Sequence, residues 1–351
     1  MNLKLLELHR EQLKLAFYRI STIPLSDVRL VELRRSIGDL INAFQYIDFA
    51  IEDKYDIYNY RDCIALLQEW TGWIANQQYG TKPHAVIKCL DIAASEWIDD
   101  SSQYIFVATD GDFGIYSENP SVDLLFDWIY QRFNIYIAYR LVHIQIPFHL
   151  DDDYLFNVCL YHELGHFIDS QLKVTDGMAL IICEEWYKKN PNSGTTGRNC
   201  WEDNTIVFQR HMKEIFADVF AAQYVGKKII EYILFKGEDA MNRVTPFHPT
   251  PSFRIAMIEE LLNDNKGNAI LDYMNDAITT ISGNSLSKRD QTEGVILTAG
   301  NLTFSPANIH QVFTASWDTY LHHVETVGNN VPDSYNMTCR SAEEAIKRSL
   351  V

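Results

Sequence analysis

Along the first eighty positions apolar residues recur in steps of three and four, the spacing that lines one face of a helix. Leu30, Leu33, Ile37, Leu40, Ile41, Phe44 and Ile47 make one such stripe, behind a break at Pro24 and a Ser26-Asp27 cap. Ile64, Leu67, Trp70 and Ile74 make a second, between Asp62 and Asn76. Stripes of this kind ordinarily build core. Residues 1–95 are therefore expected to form a helical region packed on the rest of the chain, with partner recognition as the other use of the same faces.

After Lys82-Pro83 the period shortens. Residues 104–108 are a continuous apolar run closed by Thr109-Asp110-Gly111-Asp112, which predicts a buried strand and a turn. A short strand is expected over 113–117, a helix over 122–135, and an alternating strand over 142–147 that ends at Pro147. A proline there suits an edge or a strand terminus. Free backbone groups on such an edge would pair with an extended peptide. Helical patterns return over 153–172, with Asp151, Asp152 and Asp153 as acidic caps, and then over 205–232, 252–263, 268–281, 306–324 and 341–350. Residues 188–199 are turn-rich and read as a surface loop. The expected class is α+β, mainly α, with three consecutive regions: 1–95 helical, 96–265 carrying a small mixed sheet, and 266–351 mainly helical.

Composition narrows the function. The chain has 351 residues, enough for a sizeable core. Its net charge of −17 excludes a general nucleic-acid binder and adsorption to an anionic membrane. The basic pairs Arg34-Arg35 and Lys227-Lys228 are too short to track phosphates. No apolar run reaches membrane-spanning length, and Met1-Asn2-Leu3-Lys4 opens a charged amphipathic segment rather than a signal peptide. The cysteines at 63, 89, 159, 183, 200 and 339 form no C-x-x-C pair and are expected as reduced thiols in a cytoplasmic protein.

Chemistry concentrates at His162-Glu163-Leu164-Gly165-His166. On a helix, positions i and i+4 share a face, so the two imidazoles would aim at one divalent ion, and Glu163 would lie beside them to act on a water. A catalytic zinc takes three protein ligands and keeps one open position. The extended motif that supplies a third histidine is absent, because Asp169 and Leu172 stand where it needs Gly and His. An inverted H-x-x-E-H is absent too. Lys213-Glu214-Ile215-Phe216-Ala217-Asp218 offers a carboxylate from a second helix, 48 residues beyond His166. Glu214 would bind the metal, and Asp218 would hold the far nitrogen of a ligating histidine. Asp169, Glu184, Glu185, Glu202 and Asp203 are the other acids to weigh. Of the remaining histidines, His211 is the one close to Glu214.

Together these two segments resemble the gluzincin metallopeptidases, in particular the HtpX-like and CAAX-prenyl-protease-like branch. His248-Pro249-Thr250-Pro251-Ser252-Phe253-Arg254-Ile255 is similar to a further segment of that branch. The resemblance covers about residues 142–262; the membrane helices of many of those proteins have no counterpart here. It implies a zincin-like core and an endopeptidase holding one zinc ion through His162, His166 and Glu214, with a protein or peptide substrate. Glu163 would be the general base for water, and His248 the donor to the developing oxyanion, with Tyr224 as a second choice. Arg254 would pair with a buried acid and lock the helices. Latency, with residues 188–198 or the C-terminal tail over the cleft, and a regulatory protein partner on the helical regions are further expectations. A non-catalytic zinc protein that uses those helices for partner recognition is the alternative, and a metal-dependent hydrolase of another substrate is the third.

Overall fold

Side-chain acceptors start the first helices of the chain. Asn2 caps α1 (Leu3–Ile20), Asp27 caps α2 (Val28–Phe44) through the Arg29 N–H at 2.9 Å, and Asp53 caps α3 (Lys54–Ala75) through the Asp56 N–H at 2.9 Å. The computed structural model describes residues 2–77, 84–116, 121–150, 153–178, 198–237, 245–289, 295–297, 303–305, 308–327 and 331–350. Its packing divides into two units: Met1–Ile87 with Asp100–Asp151, and Lys88–Asp99 with Asp152–Val351. These interleave along the chain, whereas the sequence reading takes three consecutive regions. Helix α4 (His84–Ser95) runs across the first boundary.

In the first unit the α2 stripe is buried against Ile57, Tyr60, Ile64, Leu67, Trp70 and Ile74 of α3 and Leu6, Leu13 and Ile20 of α1. Tyr60 meets Phe44 and Trp128 edge-on, with ring centroids 5.4 and 5.0 Å away. The same core takes in the inner faces of β1 (Tyr104–Asp110), α5 (Ser121–Phe133) and β3 (Arg140–Ile146). Strand β2 (Gly114–Tyr116) completes a sheet of order β1-β3-β2. Strands β1 and β3 are parallel, Tyr104 opposite Arg140, while β2 runs antiparallel to β3, Ile115 opposite Ile144. Strand β3 is thus central. That corrects the expectation of an edge there, and with it the idea that a peptide pairs onto this strand. Pro147 lies one residue past the end of β3, where its missing N–H costs the ladder nothing.

The second unit is helical: α6 (Cys159–Leu172), α7 (Arg198–Val225), α8 (Lys228–Gly237), α9 (Pro251–Leu262), α10 (Ala269–Ser282), α11 (Gln311–Val327) and α12 (Val331–Ser349). Asp153 accepts from the Leu155 and Phe156 N–H groups at 2.9 and 2.8 Å and so ties down the chain entering a 3-10 turn, Phe156–Val158. The α-helix proper then begins at Cys159, later than the pattern implied. The single helix expected over 205–232 is two helices, because Gly226 takes a left-handed φ of 57° after α7. Thr250 caps α9, with Pro251 in its first turn. The chain is therefore α+β and mainly helical, with one small mixed sheet among the described residues. No described helix is long and apolar enough to cross a membrane.

Candidate metal centre

Helices α6 and α7 cross at a contact made possible by missing side-chain atoms. A Cβ on Gly165 would stand 2.7 Å from the Ala217 Cα, 3.1 Å from the Ala217 carbonyl oxygen and 3.2 Å from the Phe220 Cβ. The first two are backbone atoms and cannot swing aside. Gly165 thus sets the helix separation that brings the residues on either side of it, His162 and His166, to α7. Replacing Gly165 with alanine is expected to push the helices apart, cost about 1–3 kcal/mol of stability and weaken metal binding. Thermal melts and a zinc-chelator competition on that variant check this; wild-type values in both would contradict it.

Three side chains converge where the helices cross. His162 Nε2 and His166 Nε2 lie 3.2 Å apart. Glu214 places Oε1 3.3 Å from His166 Nε2 and Oε2 3.6 Å from His162 Nε2. Ligand atoms held at about 2.0–2.2 Å by a tetrahedral ion are separated by roughly 3.3–3.6 Å, so these separations, one to each Glu214 oxygen and one between the imidazoles, are near the size a small ion requires. The donor chemistry agrees: two imidazole nitrogens and one carboxylate. Glu214 Oε2 gives a second test. It is buried and accepts no hydrogen bond; His162 Nε2, Arg254 Nη2 and His248 Nε2 each stand 3.6 Å from it, beyond hydrogen-bond reach. A bound cation would satisfy a buried anionic oxygen left in that state. Among the described residues, His162, His166 and Glu214 are the only grouping of this kind.

Asp218, one turn after Glu214, is fully buried and has its oxygens filled. It accepts from Arg254 Nε at 2.6 Å, Arg254 Nη2 at 2.7 Å and His162 Nδ1 at 2.9 Å. A carboxylate on Nδ1 fixes the proton there and leaves the Nε2 lone pair facing Glu214 and His166. Burial pushes the Asp218 carboxyl up, but Arg254 and His162 outweigh it and hold the group at about 2. Burial opposes ionisation of Glu214 as well, yet His166, His162 and Arg254 bring it down to about 2. Burial alone would lower the His162 value; Asp218 and Glu214 raise it instead.

Both carboxylates therefore bind protons less readily than their ordinary values of 3.8 and 4.5. The stability they contribute is fully present above those values and is lost as pH falls toward about 2. Denaturation of the zinc-free protein is expected to show a midpoint that drops steeply over this acidic range. A midpoint that stays flat there would count against the charged cluster.

A tight turn carries His248 to the mouth of the site. The Thr245 hydroxyl accepts from the Phe247 and His248 N–H groups at 3.2 and 2.9 Å. His211 Nε2 donates to the Thr245 carbonyl at 2.8 Å and pins the turn to α7. His211 is thus a positioning residue rather than a ligand. The His248 side chain is 53% exposed and, with His166, Arg210, Lys213, Glu214 and Phe247, lines a cavity of about 330 Å³. Glu163 is half-buried; its charge helps raise the Tyr232 phenol, after burial and the neighbouring Cys159.

No family model, curated protein or solved structure matches this chain.

Two expectations are corrected by the side chains. Tyr224 is not a donor to the site: its hydroxyl accepts from Trp97 Nε1 at 2.7 Å, donates to Glu96 Oε2 at 2.8 Å, and its ring stacks on Tyr161. Asp169 is not a ligand: it accepts from the Thr175 N–H at 2.8 Å and the Thr175 hydroxyl at 2.6 Å, closing the turn after α6. Glu184, Glu185 and residues 188–197 lie outside the described residues, as do the side chains of Glu202 and Asp203. Arg210, Lys213 and Phe247 line the cavity and carry no motif that marks them as site residues. Arg210 sits four positions before Glu214, on the face of α7 that meets the site; Lys213, one position before it, reaches the cavity from the adjoining face.

Proposed function

We propose that this protein is a cytoplasmic zinc-dependent endopeptidase of gluzincin type, with α6 and α7 as its zincin-like core. The observation that carries the reading is the triangle of His162, His166 and Glu214 at metal-sized separations, with a buried Glu214 oxygen that has no hydrogen-bond donor. Those three residues would hold one zinc ion, which when bound polarises the substrate carbonyl and makes a water more acidic. Glu163 would take the proton of the attacking water and pass it to the leaving amine. His248, on its pinned turn, would donate to the oxygen that gains charge. Asp218 and Arg254 would keep His162 in the tautomer that presents Nε2.

The reading is tested by loading the full chain with zinc, measuring stoichiometry, and offering a denatured protein and a mixed peptide library. One zinc per chain with chelator-sensitive cleavage of internal peptide bonds is expected. One zinc per chain with no cleavage of any substrate would point instead to a non-catalytic zinc protein whose flanking helices engage a partner.

A further inference from the structure

We propose that the cavity beside the metal centre is a carboxylate-binding subsite, built by Arg210 and Lys213, that selects acidic substrates; the substrate class named here rests on the peptidase reading above. Both cations lie on α7, one turn and one residue before Glu214, and both line the cavity with His166 and His248. The chain as a whole carries −17, so a cavity wall with two cations and, among the described residues, no carboxylate beyond Glu214 runs against the protein's charge.

The two cations are held differently. The Arg210 guanidinium lies over the Phe247 ring, 4.7 Å from its centroid, which fixes its plane while leaving its N–H fork for another acceptor. Phe247 is 57% exposed and sits on the turn that His211 ties to α7. Lys213 stands 3.8 Å from Asp176, with both side chains well exposed, and its charge also reaches the buried Asp169; the exposed pair contributes little and does not occupy the lysine. An arginine fork oriented by an aromatic ring beside a lysine suits a carboxylate. The carboxylate can come from an Asp or Glu side chain near the cleaved bond or from a free C-terminus, and both present the same chemistry to the cavity.

The test uses the full chain in two forms, zinc-loaded and zinc-free, and four short peptides. All are acetylated; they carry Glu or Gln at one internal position and end in an amide or a free carboxylate. Calorimetric affinity is measured on the zinc-free protein and on the zinc-loaded Glu163→Gln variant, and kcat/KM on the wild type. Peptides bearing the recognised carboxylate are expected to bind about tenfold or more tightly than their neutral counterparts. That ratio should collapse in an Arg210→Gln, Lys213→Gln double variant whose circular dichroism matches wild type. Preference for internal Glu identifies a side-chain carboxylate, preference for the free end a terminal one, and either supports the proposal. Equal affinity for all four peptides, or a preference undiminished in the double variant, overturns it. Carboxylate preference in binding with no cleavage of any peptide leaves the subsite standing and removes the peptidase; cleavage without preference does the reverse.

Discussion

Replacing Glu163 with glutamine is expected to lower kcat by about 10²–10⁴-fold while zinc content and melting temperature stay at wild-type values. Glutamine keeps the shape of the side chain and cannot take a proton at neutral pH. The fold has little stake in the carboxylate: Glu163 is half-buried, and its one described electrostatic neighbour is Tyr232. A residue that packs or caps would show its loss in stability; a base shows it in the chemical step alone. Paired kcat and zinc-content measurements on wild type and variant separate the two. A kcat within a few-fold of wild type would remove Glu163 from the chemistry.

Truncating Asp218 to alanine should produce the largest loss of stability in the protein. Its carboxylate is fully buried and holds Arg254 through two hydrogen bonds and His162 through one. Without it, the largely buried Arg254 guanidinium keeps, among the described carboxylates, the more distant Glu214, and the His162 Nδ1–H loses its acceptor. Breaking a buried pair in this way costs about 3–5 kcal/mol, and loss of a carboxylate behind a histidine ligand weakens metal binding by about 10–100-fold. Urea denaturation and chelator competition measure the two effects. The double variant Asp218→Ala, Arg254→Ala should lose less than the sum of the single losses, because the second substitution removes the stranded charge. Strict additivity would show that the two residues do not act as a unit.

The elements of this fold were legible wherever local chemistry decides them. The α2 stripe, the Asp27 cap and the strand centred on Phe106 follow from period and capping alone. The end of α7 at Gly226 did not, since a glycine within an apolar helical pattern reads equally as interior or as terminus until its φ is known. Strand order was beyond local reading for the same kind of reason. Pro147 marks where β3 stops and says nothing about its neighbours, which depend on non-local pairing with β1 and β2. In the site, the spacing of His162 and His166 on one helix and of Glu214 and Asp218 on another could be read directly. That they meet depends on Gly165 facing Ala217, a contact that is visible only once the helices cross. The cavity wall was missed because Arg210 and Lys213 look like ordinary surface charges; the Phe247 ring from a turn 37 residues further along gives Arg210 its place.

Zinc K-edge X-ray absorption on the stoichiometrically loaded protein tests the convergence of the two helices most directly. Two imidazole nitrogens and light oxygen scatterers at about 2.0–2.2 Å are expected, with one imidazole lost in His166→Ala and the oxygen shell altered in Glu214→Ala. A sulfur shell near 2.3 Å, or a spectrum indifferent to Glu214, would contradict the site described here.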